Sequence, residues 1–168
     1  MSADPYLRAL SPTARYCKSA GVTGVTTTRA RVLVVEDSLF TRTVLTGALL
    51  AAGYEVQSAG SLQEALEMAS ANPPDVAVLD VFLDEGPSGL DVARALRGRH
   101  GASPTYIIAF SGHFASDAVR LARDAGCDRF LVKPCPSELM IETIEQFLRS
   151  RTPPDGTASL PDDHDHAS

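Results

Sequence analysis

From Arg31 to Ser150 the chain alternates short apolar runs with longer segments in which apolar residues recur every three or four positions. VLVVE (32–36), YEVQSA (54–59), VAVLD (76–80), TYIIAFS (105–111) and RFLVK (129–133) predict strands, the second weaker than the others. A helical pattern follows each. After Ser38, the residues Leu39, Phe40, Val44, Leu45, Leu49 and Leu50 are read as one face of a helix that stops near Gly53. Ser61 and Glu64 have capping-box spacing ahead of a helix through Met68 that Pro73-Pro74 closes off. LDVARALRG (90–98), SDAVRLARDAG (116–126) and SELMIETIEQFLRS (137–150) are the remaining helices, with Leu66, Leu121 and Leu139 read as core.

Strands that are apolar throughout, each followed by a helix, predict a parallel sheet buried on both faces. Right-handed crossovers then give a doubly wound α/β domain of five strands, order 2-1-3-4-5, with helices on both faces. In such sheets a ligand sits at the carboxyl ends of the strands, near the switch point between strands 1 and 3.

Length and composition set the limits of this domain. The 168 residues accommodate one domain with tails, and 44% hydrophobic against 21% charged residues, with a formal charge of −6, describe an ordinary globular protein with no general attraction to nucleic acid or anionic membrane. Residues 1–30 are basic (Arg8, Arg15, Lys18 and Arg29 against Asp4) and rich in Ser and Thr. They are read as a disordered extension or a misplaced start, in preference to a transit peptide. Residues 151–168 are polar, Pro-rich and acidic, and are expected to be a disordered tail, with the domain at 31–150. His164 and His166 there are read as solvated. Cys17, Cys127 and Cys135 form an odd set without CxxC spacing, which indicates neither a disulfide framework nor a zinc site and fits a reducing cytoplasm. No apolar run is long enough to span a membrane.

The chemistry gathers at the carboxyl edge. The third strand, apolar throughout, ends in Asp80, and a carboxylate buried without a partner is costly. Topology brings to the same edge Glu36 and Asp37 from strand 1, Ser111 from strand 4 and Lys133-Pro134 from strand 5. Three neighbouring carboxylates stay ionised only against a cation, and the candidates are the Lys133 ammonium and a hard divalent ion such as Mg²⁺. A carboxylate nucleophile, a divalent ion, a lysine and a hydroxyl together suit receipt of a phosphoryl group.

In these residues, and in Phe130, the chain resembles the receiver domains of bacterial two-component response regulators, which have a flavodoxin-like fold. The resemblance covers roughly residues 31–150. It implies phosphorylation of Asp80 by a sensor histidine kinase or a phosphotransfer protein. It also implies Mg²⁺ held by Glu36, Asp37, Asp80 and the Phe82 backbone carbonyl, with Ser111 and Lys133 contacting the phosphoryl oxygens. Ser111 and Phe130 then act as the switch that remodels the face of helix 4, strand 5 and helix 5, where a downstream protein target binds. A cis Lys133-Pro134 bond is implied on the same ground. Such a protein is not a metabolic enzyme: it catalyses only its own phosphorylation and dephosphorylation, in the cytoplasm. Phe82 and His113 would border the pocket and control water access, and a bulky Phe82 predicts slow dephosphorylation. Nothing after residue 150 suggests a DNA-binding fold, so a stand-alone receiver without direct DNA contact is expected: a relay intermediate, an adaptor or a phosphate sink.

Taken singly, these residues have plainer readings: Asp37-Ser38 as a helix cap, Ser111 as a loop hydroxyl, Phe130 as core, Lys133 as a solvated strand end, Cys135 as packing. Their joint placement favours the site. A Rossmann domain would need a glycine-rich turn where EDSLF stands, and a flavodoxin a phosphate-cradling loop in that place. A haloacid-dehalogenase phosphatase would need an acid at Phe82. The remaining alternative is a degenerate receiver acting as a phosphorylation-independent binding module. Two departures from the family pattern stand out: Asp84 where relatives often carry proline, and a loop 84–89 longer by one residue.

Overall fold

In this computed structural model the described residues are 30–83, 89–98, 104–112 and 116–151. Five strands alternate with five helices: β1 (Arg31–Val35), α1 (Leu39–Ala51), β2 (Glu55–Ala59), α2 (Leu62–Ala71), β3 (Val76–Asp80), α3 (Gly89–Arg97), β4 (Tyr106–Ser111), α4 (Ser116–Asp124), β5 (Arg129–Val132) and α5 (Ser137–Arg151). The strands form one parallel sheet in the order β2-β1-β3-β4-β5, as the alternation predicts. Among the described residues no helix is long and apolar enough to cross a membrane.

Alternate strand residues feed two cores. Leu33, Val35, Ala77, Leu79, Ile107 and Ala109 pack with α2, α3 and α4, while Val32, Val34, Val76, Val78, Ile108 and Phe110 pack with α1 and α5. This two-sided burial is why β3 reads as an unbroken apolar run. β2 lies at the sheet edge and is only partly buried, which matches its weaker signal.

The caps are those the sequence indicates. Ser38 caps α1 by accepting the Thr41 N–H, and Gly53, with φ of 84°, follows the last turn in the left-handed conformation that glycine adopts without strain. Ser61 caps α2, accepting the Glu64 N–H, but the Glu64 carboxylate takes the N–H of Gly60, one residue before the cap.

Three readings of the apolar pattern need correction. Leu39 and Phe40 are 69% and 80% exposed, and Val44 and Leu50 are exposed too, so only Leu45 and Leu49 of the supposed face of α1 are buried. At about 100° per residue the six positions wind most of the way round the helix, and the sheet covers a single stripe. Leu121 and Leu139, expected in the core, are also exposed. Their helices turn Ala118 and Ala122, and Met140, Thr143 and Ile144, inward instead.

At the amino edge Arg97 pins three elements together. It donates to the carbonyls of Gly126 (2.8 Å) and Thr105 (2.5 Å) and pairs with Asp128, whose carboxylate also accepts the Ile107 N–H at 2.7 Å. Charge-assisted bonds of this kind are the strong ones, and their loss strands acceptors. Arg97→Ala should therefore destabilise the fold by about 2 kcal/mol, lowering the melting temperature by about 6 °C in a thermal scan.

Candidate functional site

The site forms where β1, β3 and β5 end at the carboxyl edge. β1 stops at Val35, but its ladder persists one residue further, with the Glu36 N–H bonded to the Ala59 carbonyl at 3.1 Å. Glu36 is thereby turned inward and is 2% exposed; Asp37 follows at the rim, accepting the Ser38 N–H at 2.7 Å. Asp80 closes β3 at 7% exposure and accepts the Phe82 N–H at 3.1 Å. A carboxylate oxygen from each of Glu36, Asp37 and Asp80 lies within 4.8 Å of the others. Three hard oxygen donors at that spacing, partly open at Asp37, fit a divalent ion that keeps some of its waters.

Lys133, just beyond β5, answers the question raised by Asp80. Its ammonium bonds Glu36 at 2.5 Å and Asp80 at 2.6 Å, across sequence separations of 97 and 53 residues. Lys133 continues the strand pairing, its N–H bonded to the Ser111 carbonyl at 2.8 Å, and the Lys133-Pro134 bond is cis, as the resemblance implies. The face of the Phe110 ring lies 5.0 Å from the ammonium, a cation–π contact. An apolar groove of about 340 Å³ beside Lys133 is lined by Phe40, Val44, Phe110, Pro134 and Cys135.

The electrostatics follow from one ammonium among three acids. Burial pushes the Glu36 carboxyl above its ordinary value and Asp80 adds to this, against the lowering effect of Lys133. Burial alone would lower the Lys133 pKa, but hydrogen bonds and charge from Asp80 and Glu36 outweigh it and the net direction is up. A carboxyl raised in the fold contributes stability below its ordinary pKa and loses it as pH rises through the shifted value. The site sets three acids against the Lys133 ammonium, an imbalance that a divalent cation would relieve.

Ser111 ends β4 with no exposure, one residue beyond Phe110, the neighbour of Asp80 in the ladder. Phe130 is half-buried on the opposite sheet face from Phe110, against the core beneath α4. Phe82 is 51% exposed beside Asp80. His113 and the loop 84–88, including Asp84, lie outside the described residues.

Three further residues at the site escape a reading by strand ends. Arg42 donates to the Glu36 and Asp37 carbonyls. Gly89 opens α3 so close to β3 that a Cβ there would stand 1.8 Å from the Asp80 carbonyl oxygen. Phe110 supplies the ring under Lys133. A sequence signal existed for the first: Arg42 is the one charged residue in LFTRTVLTGALLA.

Comparison with known proteins converges on one family. Residues 32–145 match the family model of the response regulator receiver domain. The chain is 34% identical over 130 residues to the response regulator MprA of Mycobacterium tuberculosis, an alignment covering 77% of this chain and 55% of that protein. It is 38% identical over 116 residues to the transcriptional regulatory protein PdtaR of the same organism, covering 68% and 55% respectively. The chain thus matches about half the length of these relatives. Among solved structures, the chemotaxis protein CheY4 of Vibrio cholerae superposes with a TM-score of 0.64 at 29% identity, covering 70% of this chain and 98% of that one.

Proposed function

The chain belongs to the response regulator receiver domain family, and from that premise we propose that it accepts a phosphoryl group on Asp80 and passes the signal on through its α4–β5–α5 face. The observation that carries the reading is the Lys133 ammonium bonded at once to Asp80 and Glu36, with Asp37 completing the acidic group. The donor is the phosphohistidine of a sensor kinase or phosphotransfer protein. An Asp80 oxygen forms the new O–P bond as the N–P bond breaks, and the electron pair stays with the imidazole nitrogen, which takes up a proton.

Glu36, Asp37 and Asp80, with the Phe82 backbone carbonyl, would hold Mg²⁺, which when bound neutralises charge on the phosphoryl oxygens. Lys133 contributes a second positive charge on the same oxygens, and Ser111 donates a hydrogen bond to one of them. No part of this requires a nucleic acid or a membrane, and the cytoplasm is the compartment in which the donor and a downstream protein partner would meet it. The test is uptake of phosphate from acetyl phosphate or a phosphohistidine donor, expected with Mg²⁺ and lost in EDTA. Uptake that proceeds unchanged in EDTA would remove the metal role, and no uptake even with Mg²⁺ would overturn the reading and leave a phosphorylation-independent binding module.

Switching is assigned to Ser111 and Phe130. Because Ser111 and Lys133 contact the phosphoryl oxygens in this reading, either Ser111→Ala or Lys133→Ala should uncouple the site from α4, β5 and α5. On adding beryllofluoride, amide shifts around Phe130 should move in the wild type and move markedly less in the variants, since losing a charge-assisted bond of about 1.5 kcal/mol shifts the switch equilibrium by about tenfold. Equal shifts in all three proteins would remove the coupling role.

A further inference from the structure

Two cations touch the acidic group, and they touch it differently. Lys133 bonds carboxylate oxygens, the atoms a metal ion also needs. Arg42 reaches the backbone: its Nη1 donates to the backbone carbonyl of Glu36 and, at 3.3 Å, to that of Asp37. A guanidinium so placed tethers the backbone from which two of the three carboxylates project. The strand ends at Val35 and its last ladder bond is at the Glu36 amide, so the Arg42 contacts fall at and just beyond the end of the ladder.

The seat for Arg42 is built by another element. A Cβ at Gly60 would stand 2.8 Å from Arg42 Nη1 and 3.4 Å from its Cζ, so a side chain at residue 60 would require the guanidinium to shift from its present position. Gly60 is itself anchored, its N–H donating to the Glu64 carboxylate at 2.8 Å while Ser61 caps the same helix. A line of contacts therefore runs from the amino end of α2 through Gly60 and Arg42 to the two acids after β1.

We propose that Arg42, seated in the notch left by Gly60, is a positioning residue that sets the divalent-ion affinity of the acidic group through the backbone of Glu36 and Asp37. The inference rests on the reading of Glu36, Asp37 and Asp80 as the Mg²⁺ site. Partners that orient metal ligands from behind typically change affinity by about 10- to 100-fold, and a tether acting through the backbone belongs at the lower end.

The test is Mg²⁺ titration of the full, unphosphorylated chain, followed by amide shifts and by calorimetry. Arg42→Ala should weaken Mg²⁺ binding by about 10-fold. Arg42→Lys should recover part of the loss, since its ammonium can still donate to one of the two carbonyls although it lacks the planar fork. Gly60→Val, which leaves Arg42 in place but fills its seat, should weaken binding in the same direction. Arg97→Ala, destabilising at the opposite edge, should leave the affinity at the wild-type value, which separates positioning from general loss of stability. Asp37→Asn reports on the premise. If it abolishes tight binding while Arg42→Ala and Gly60→Val bind as wild type, the role of Arg42 is refuted. If Asp37→Asn also binds as wild type, the metal-site reading fails and the inference fails with it.

Discussion

Asp80→Asn is expected to take up no phosphoryl group from acetyl phosphate or from a phosphohistidine donor, under conditions in which the wild type is labelled. The carboxamide oxygen retains an acceptor for the Phe82 N–H, so the turn after β3 can persist. It lacks the anionic oxygen that attacks phosphorus, and Lys133 keeps only Glu36 of its two carboxylate partners. The expected loss is complete within detection, at least about 1000-fold, as for removal of a nucleophile that the remaining groups cannot replace. Intact mass and acid-stability of the label read the result. The fold should survive, because the substitution removes one of three closely placed negative charges, and the melting temperature in EDTA should not fall below that of the wild type. Labelling of the variant at the wild-type rate would exclude Asp80 as the acceptor.

The second large effect comes from a residue with no side chain. Gly89 is the first residue of α3, and a Cβ on it would lie 1.8 Å from the Asp80 carbonyl oxygen and 2.9 Å from the carbonyl carbon. Both are backbone atoms, so no rotamer change relieves the overlap. Either the first turn of α3 retreats or the end of β3 moves, and in the second case the Asp80 carboxylate moves with it. A displacement of about 1 Å at a reacting group can cost about 100-fold in rate, and that is the expected loss in labelling by Gly89→Ala. Gly47→Ala provides the control. Nothing lies within 4 Å of a Cβ there, so replacing a mid-helix glycine should stabilise α1 by about 0.5–1 kcal/mol and leave labelling unchanged. Initial rates at saturating Mg²⁺, taken well below each variant's melting temperature, distinguish a moved acceptor from an unfolded one. A wild-type rate in Gly89→Ala would mean that α3 yields without disturbing Asp80.

These effects divide between what the local pattern encodes and what it leaves open. The alternation of apolar runs with helical spacing encodes five strands, five helices and their order along the chain. Because right-handed crossovers bring every strand end to one edge, it also encodes the meeting of Glu36, Asp37, Asp80, Ser111 and Lys133 there. Residue type does the rest at that edge: acids near one another need a cation, and Lys133 is the strand-end residue able to supply one. Helix rotation is another matter. Apolar residues almost encircle α1, so its periodicity selects no inward side; contact with the sheet selects Leu45 and Leu49, leaves Phe40 and Val44 outside, and carries Arg42 under the acidic pair. The notch at Gly60 and the approach of Gly89 to Asp80 depend on distances between elements far apart in sequence. Composition and spacing determine which groups reach the edge, because topology alone is enough to bring them there. Only the packed structure determines what stands behind them, because that depends on how each helix is turned and how closely it lies against its strand.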